Sequence, residues 1–314
     1  MAILITGSSG YIGTELCRRY ELDETVEDIV GLDVVPPKED FSKLVFYQRN
    51  CNSDLIDIFQ NHQIQTVIHL VFALNPTHDS KKMFEINVGS LENVMSHVDQ
   101  FGVRRLVVTS SATAYGAHSD NPPRLTEDNA IRGNEGFQYS RDKATVESRL
   151  ADFQNSHSDV DVIIARLAIV CGPHINNFVS RYVSKPLVPL VKDADVEMQY
   201  IHEEDVADAL YVMAAEAPAG AYNLGPPETI SDENAVAEMG GRVLRLGPRL
   251  IRWLTALAWS LRLKFLTEAP SSMIDFIEFP WVVDGSRIER ETSFRYRYSS
   301  SDAIRAFAQK RQEA

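Results

Sequence analysis

Six apolar, β-branched runs pace the first half of the chain: AILIT (2 to 6), DIVGLD (28 to 33), KLVFYQ (43 to 48), TVIHLV (66 to 71), RLVVTS (105 to 110) and VDVIIARL (160 to 167). Helical patterns lie between them. Strands that read as unbroken apolar runs are buried on both faces, which is the condition of a parallel sheet covered by helices on either side. The predicted fold is therefore α/β, a doubly wound parallel sheet. Beyond Gly172-Pro173 the rhythm breaks, with prolines at 186, 189, 218, 226, 227, 248, 270 and 280, and a smaller second domain is expected to begin there.

The stretch TGSSGYIG (6 to 13) follows the first run directly and spaces Gly7, Gly10 and Gly13 three apart. A helix opening near Gly13 aims free N–H groups and its positive dipole end at the turn. Bare Cα positions at Gly7 and Gly10 let a pyrophosphate approach, and Gly13 lets the helix pack close to the sheet, as in a Rossmann dinucleotide site. Asp33 stands 20 residues past Gly13, at the end of the second run. A carboxylate there accepts hydrogen bonds from the ribose 2′-OH of NAD and repels the 2′-phosphate of NADP. Val34, Val35 and Pro36 follow it, with no arginine to offset that repulsion.

QYSRDKA (138 to 144) puts Tyr139 and Lys143 on one helix face. A phenol with a pKa near ~10 needs a neighbouring cation to act as a base at neutral pH, and Lys143 supplies one. Upstream, TSSATAYG (109 to 116) ends a strand at the carboxyl edge of the sheet, where such sheets bind ligands. Ser111 is placed to hold the oxygen that Tyr139 deprotonates or protonates.

With these residues the chain resembles the extended short-chain dehydrogenase/reductases of the NAD-dependent epimerase/dehydratase type. TGSSGYIG is similar to the family's T-G-x-x-G-x-x-G, VIHLVFA (67 to 73) to its V-I-H-L-A-A strand beside the cofactor, and NVGSLENV (87 to 94) to N-V-x-G-T-x-N-V. RNCNSD (49 to 54), YIHEEDVADAL (200 to 210), AYNLG (221 to 225) and WVVDGSRIERETSFRYRYS (281 to 299) resemble further family segments, the last a closing helix and strand. The resemblance implies a catalytic set of Ser111, Tyr139 and Lys143. It also implies NAD contacts from Gly7, Gly10, Tyr11, Ile12, Gly13, Asp33, Asn50, Cys51, Leu70, Ala73, Asn87, Tyr139 and Lys143. Asn87 would support the lysine through the backbone and water, Asn50 and Cys51 would lie near the adenine, and Tyr115 would pack by the cofactor. The expected NAD-binding domain spans 1–171 with 199–226 returning to it, and 172–198 with 227–314 form the smaller C-terminal substrate domain. A homodimer through helices near 81 to 100 and 139 to 155 is expected, with Met83, Phe84, Ile86 and Val88 as core and interface residues.

The departures bear on the substrate. Family dehydratases follow the active-site serine or threonine with Asp-Glu, where this chain has Ala112 and Thr113, so that dehydration route is disfavoured. Many nucleotide-sugar epimerases carry Asn in R-x-x-N-V-Y-G and an Arg before Y-I-H; here RLAIVCG has Ile169, and Met198-Gln199 precede Tyr200. Arg181, Arg242, Arg245, Arg249 or Arg252 are the candidates to restore a diphosphate contact. The favoured reading is an enzyme resembling a nucleotide-sugar epimerase. The alternatives are a dehydrogenase of a less polar, steroid- or lipid-like alcohol and a non-catalytic NAD sensor.

Bulk properties limit the partners. The chain of 314 residues has a net charge of -13, which argues against nucleic acid. Residues 249 to 314 nonetheless hold 11 Lys/Arg against 8 Asp/Glu, while the preceding residues hold 20 against 36. That tail is expected either to face something anionic or to be a solvated face. Cys17, Cys51 and Cys171 form no C-x-x-C, which suits a reducing, cytoplasmic setting without zinc. A strand beginning at Ala2 leaves no room for a signal peptide. WLTALAWSL (253 to 261) is too short to span a bilayer, so stable membrane insertion is not expected; it reads first as a core or pocket helix and second as an amphipathic surface helix. His69, and His202 before Glu203, Glu204 and Asp205, are expected to be packed or capping groups, and no metal site is predicted.

Overall fold

A computed structural model describes residues 2–313. Met1 and Ala314, the outer ends of the two expected domains, lie outside the described residues. The strands Ala2–Thr6 (β1), Ile29–Asp33 (β2), Leu44–Gln48 (β3), Ile64–His69 (β4), Arg105–Ser111 (β5) and Asp161–Leu167 (β6) form a parallel sheet with a seventh strand, Gly220–Leu224. The order is Gly220–Leu224, β6, β5, β4, β1, β2, β3. Strand order reverses beside β1, so the carboxyl ends of β1 and β4 open a crevice. The expected doubly wound α/β fold is the one observed.

The inner strands bury both faces, which is why their runs look apolar throughout, whereas the edge strand β3 leaves Val45 and Gln48 exposed. Ile3 and Ile5 point to one side, onto Leu16, Cys17 and Tyr20 of helix Tyr11–Glu21 and Val206, Leu210 and Met213 of helix Glu203–Glu216. Leu4 points to the other, onto Ile58, Leu91, Val94 and Leu150 from helices Ile56–Asn61, Ser90–Gln100 and Gln138–Ser156. Met83 and Val88 join the buried set, whereas Phe84 is exposed.

After β6 the chain builds three two-stranded pieces beyond the carboxyl edge of the sheet. Ile169–Cys171 pairs with Tyr200–His202, Leu187–Val191 with Arg242–Leu246, and Glu197–Met198 with Ile230–Ser231. Their core gathers Phe178, Tyr200, Phe276, Trp281 and Phe307. The segment 281–299 has the expected helix, Ser286–Glu291, but no closing strand. The backbone N–H groups of Arg297 and Tyr298 donate instead to the buried Asp205 carboxylate, each at 3.2 Å, which removes them from any ladder.

Candidate active site

β1 is followed by Gly7 at φ 77, whose N–H donates to the Leu32 carbonyl at 2.7 Å, so the turn is tied to β2. A Cβ on Gly13 would lie 2.1 Å from the Gly7 carbonyl oxygen and 2.8 Å from the Ser8 backbone, a position open to glycine alone. Gly10 starts helix Tyr11–Glu21 with no side-chain cap, and no acidic residue stands in the first turn. The hydroxyls of Ser8 and Ser9 are buried without a partner among the described residues. Unpaired donors and an uncompensated dipole end fit the pyrophosphate of a dinucleotide. The Asp33 carboxylate accepts the Ser9 and Val35 N–H groups, each at 3.1 Å, and so is held beside the same turn.

A cavity of about 340 Å³ runs from this turn toward the small sheets. Gly7, Gly10, Tyr11, Ile12, Gly13, Leu70, Ser111, Tyr139 and Lys143 all line it. Asp33, Asn50, Cys51, Ala73 and Asn87 are outside its walls. Asn87 sits in a π-turn, Glu85–Gly89, where it accepts the Ala73 N–H at 2.6 Å and donates to Asp142 at 2.9 Å. It therefore joins the loop after β4 to the residue preceding Lys143. Asn50 is exposed and accepts the Asn52 N–H at 2.9 Å, while Cys51 is buried in the core with its thiol pushed up to about 12 by desolvation.

Helix Gln138–Ser156 is locked to the sheet by charge. Glu147 takes three hydrogen bonds from Arg166 of β6, at 2.7 to 3.0 Å, and one from Ser110 of β5 at 2.6 Å. This fixes Tyr139 and Lys143 over the end of β5, where Ser111 accepts the Thr113 N–H at 3.2 Å. The Lys143 ammonium donates to the Thr109 carbonyl at 2.8 Å and lies 3.5 Å from the centre of the Phe72 ring. Its distance to the Tyr139 ring is 5.8 Å. Burial lowers Lys143 to about 7 against the opposing pull of Glu147 and Asp142, and burial raises Tyr139 to about 12 against a hydrogen bond from Ser111. Desolvation therefore dominates at Tyr139, and the Lys143 cation also makes a cation–π contact with Phe72. Phe72 occupies the second alanine of V-I-H-L-A-A, a departure visible in the sequence, and it packs edge-on to Tyr139 at 5.2 Å.

Thr113, which stands where family dehydratases carry an acid, has a buried hydroxyl with no partner among the described residues and lines the cavity. The Tyr115 hydroxyl accepts from Arg166 at 2.6 Å and has the Asn223 Oδ1 at 2.8 Å and the Thr126 carbonyl at 3.0 Å as acceptors for its one proton, so its polar tip is a buried strut outside the cavity lining.

Beyond Tyr139 the walls are apolar and aromatic: Phe137, Phe178, Tyr182, Leu190, Phe276 and Trp281 among them. Lys143 and Asp232 are the charged side chains among the described lining residues. The five arginines considered for a diphosphate are not there. Arg181 pairs with Glu268 at 2.6 Å, Arg245 with Asp232 and Glu233 at 3.2 Å, and Arg252 with Asp275 at 2.7 Å. Arg242 and Arg249 are exposed. Gln199 fills the space above Gly225, donating to Pro226 at 2.7 Å.

His69 is enclosed, with Nδ1 2.8 Å from the Thr6 hydroxyl, and burial lowers it to about 3. His202 caps helix Glu203–Glu216 and stacks on Tyr298 at 3.9 Å. Neither faces a ligand cluster. Glu203 instead meets His174 and Glu15, all within 4.8 Å, and the Tyr11 phenol donates to it. Burial and Glu203 push that phenol far above its usual range. No sequence spacing announces this group, since its members come from three separate segments.

A family model described as the NAD dependent epimerase/dehydratase family matches residues 3–225. Over 310 residues the chain is 25% identical to an uncharacterized protein of Mycobacterium tuberculosis, covering 96% of this chain and 82% of that one. It is 28% identical over 272 residues to the UDP-glucose 4-epimerase of Bacillus subtilis, covering 72% and 77%. Among solved structures, a Bacillus anthracis dTDP-glucose 4,6-dehydratase in complex with NAD superposes with a TM-score of 0.77 at 15% identity, covering 100% of this chain and 97% of that one. A Thermotoga maritima UDP-glucose 4-epimerase with UDP-glucose does so at 0.77 and 14%, covering 100% and 99%. At such identity the likeness is one of fold.

Proposed function

The chain belongs to the NAD dependent epimerase/dehydratase family, and from that premise we propose that it is an enzyme acting on a secondary alcohol or ketone through Ser111, Tyr139 and Lys143. NAD, when bound, supplies the hydride acceptor. The glycine turn would hold its pyrophosphate and Asp33 its adenosine ribose, which favours NAD over NADP. Ser111 donates a hydrogen bond to the substrate oxygen, and Tyr139 exchanges a proton with it. Burial raises Tyr139 and lowers Lys143, so an ammonium brought beside the phenol would favour phenolate, and a phenolate there would favour the ammonium. Release of Lys143 from the Phe72 ring toward Tyr139 is the step that would poise the base.

The substrate proposal is an alcohol with an apolar body. The observation carrying it is the arginine-free, largely apolar wall beyond Tyr139, which suits shape-based binding and leaves a diphosphate uncompensated. A nucleotide-sugar epimerase is the second reading, favoured by the Bacillus subtilis relative. Turnover assays with NAD separate them. Release of NADH from an apolar secondary alcohol supports the first reading; interconversion of UDP-glucose and its epimer without net NADH overturns it in favour of the second. Pairing of two copies through the helices near 81 to 100 and 139 to 155 remains part of the proposal, and sedimentation as a monomer at micromolar concentration would remove it.

A further inference from the structure

Helix Pro248–Ser260 is apolar on two sides. Ile251 and Ala258 turn inward and are buried, with Thr255 partly covered between them. Leu250, Trp253, Leu254 and Leu257 recur at helical spacing on the opposite side and stay in solvent, Trp253 at 60% exposure. The chain then turns through Arg262 at φ 58, and the Leu263 N–H folds back to the Ala258 carbonyl at 2.9 Å. Leu261, Phe265 and Leu266 are thereby left exposed as well, Phe265 at 76%. A cluster of exposed large apolar side chains on this scale marks an interaction surface.

The charges around it identify the partner. Residues 249 to 266 contain Arg249, Arg252, Arg262 and Lys264 and no acidic residue, in a chain of net charge -13. Arg252 turns inward to Asp275 and Glu278. Arg249, Arg262 and Lys264 are exposed and form no ion pair among the described residues. We propose that this segment docks the protein reversibly on an anionic lipid surface, with Trp253, Leu257 and Phe265 in the acyl boundary and the three cations among the headgroups. A second copy seated here by two-fold symmetry would set the same cations against each other. Spanning is not available, because no described helix is long and apolar enough to cross a membrane.

The inner side of the segment backs onto the active-site cavity. A side cleft of about 50 Å³ is lined by Ile251, Thr255 and Leu266 and by Phe178, Tyr182 and Met273, and the last three also wall the main cavity. Delivery of an apolar substrate from the bilayer through this side rests on the substrate reading above; docking itself does not.

Co-sedimentation of the full-length protein with vesicles of phosphatidylcholine, alone or with phosphatidylglycerol added, tests the inference without any substrate. The protein should pellet with the phosphatidylglycerol vesicles and be released by high salt. Trp253→Ser should abolish pelleting, and the triple change Arg249→Glu, Arg262→Glu, Lys264→Glu should weaken it by about tenfold or more, with NAD affinity retained as the sign of a folded chain. The salt dependence of the wild type needs no variant. Failure to pellet with either vesicle, equal pelleting with both, or a wild-type dimer that Trp253→Ser converts to monomer would each overturn it, the last in favour of a self-association face.

Discussion

On the sheet side of the cavity most polar groups are directional and engaged, Gly7 to Leu32, Asp33 to Ser9, Lys143 to Thr109, Glu147 to Arg166 and Ser110, while the hydroxyls of Ser8, Ser9 and Thr113 stay without a partner among the described residues. On the far side the walls are Phe178, Tyr182, Met273, Phe276 and Trp281, and the one acid, Asp232, is already paired with Arg245. Under the proposed function the first region would hold the dinucleotide by backbone geometry and oriented donors, and the second would exclude water and select the substrate by shape. A substitution on the first side should therefore act on the cofactor or the chemical step, and one on the second side on the substrate alone.

The sharpest attempt to break that contrast is Gly13→Val. Its side chain must enter the space 2.1 Å from the Gly7 carbonyl, so the glycine turn has to move and NAD binding should be lost to beyond detection by calorimetry. Retained NAD affinity would show that the turn does not hold the cofactor. Tyr139→Phe comes next. Turnover on a true substrate should fall roughly 10² to 10⁴-fold, the usual loss of a general acid/base, while the NAD dissociation constant changes less than about twofold on the same estimate that the ring and its packing are kept. Near-normal turnover would remove Tyr139 from the mechanism, and Tyr115 offers no substitute because its hydroxyl is fully engaged.

Asp33→Ala should weaken NAD by about 10 to 100-fold, the range for a hydrogen bond to a charged group, and narrow the gap to NADP; titrations of both cofactors read this directly. Across the cavity, Met273→Ala should shift the substrate KM by about tenfold through lost apolar contact with NAD affinity unmoved. If NAD affinity moved instead, the two walls would not be separable.

The smallest effect is a slope in stability with pH. Lys143 titrates at 10.5 when unperturbed and at about 7 in the fold. Between those values the unfolded chain binds the extra proton, so the contribution of Lys143 to stability rises as pH goes from about 7 to 10.5 and its cost is full below that window. Urea midpoints of the wild type should gain on those of Lys143→Met over this range. Parallel pH profiles would mean that the lysine is not desolvated as its burial indicates.

Legibility followed the same division. The glycine turn, Asp33, Ser111, Tyr139 and Lys143 could be placed from spacing, because each belongs to a short segment whose local conformation brings it to a strand end. Phe72 was readable only as a substitution in a pattern, and its contact with Lys143 depends on how the loop after β4 meets helix Gln138–Ser156. Asn87 and Cys51, expected at the cofactor, show the limit from the other direction: matching segments put them near the site, while the packing makes the Asn87 side chain a tie between Ala73 and Asp142 and sets the Cys51 side chain in the core.

By itself the sequence determined a parallel sheet with two covered faces, since unbroken apolar strands have no other way to hide both sides, and it placed a glycine turn at 6 to 13, since Gly7, Gly10 and Gly13 recur three apart directly behind the first strand. Tertiary structure alone decided the rest: which arginines turn away from the cavity into Glu268, Glu233 and Asp275, that Tyr115 is a strut, that Glu15, His174 and Glu203 converge, and that Trp253 and Phe265 face solvent. The reason is that a strand or a tight turn is governed by neighbours a few residues away. The direction of a long side chain, or the face that a helix with two apolar sides chooses to bury, is settled by partners a hundred residues distant that become neighbours only once the chain has packed.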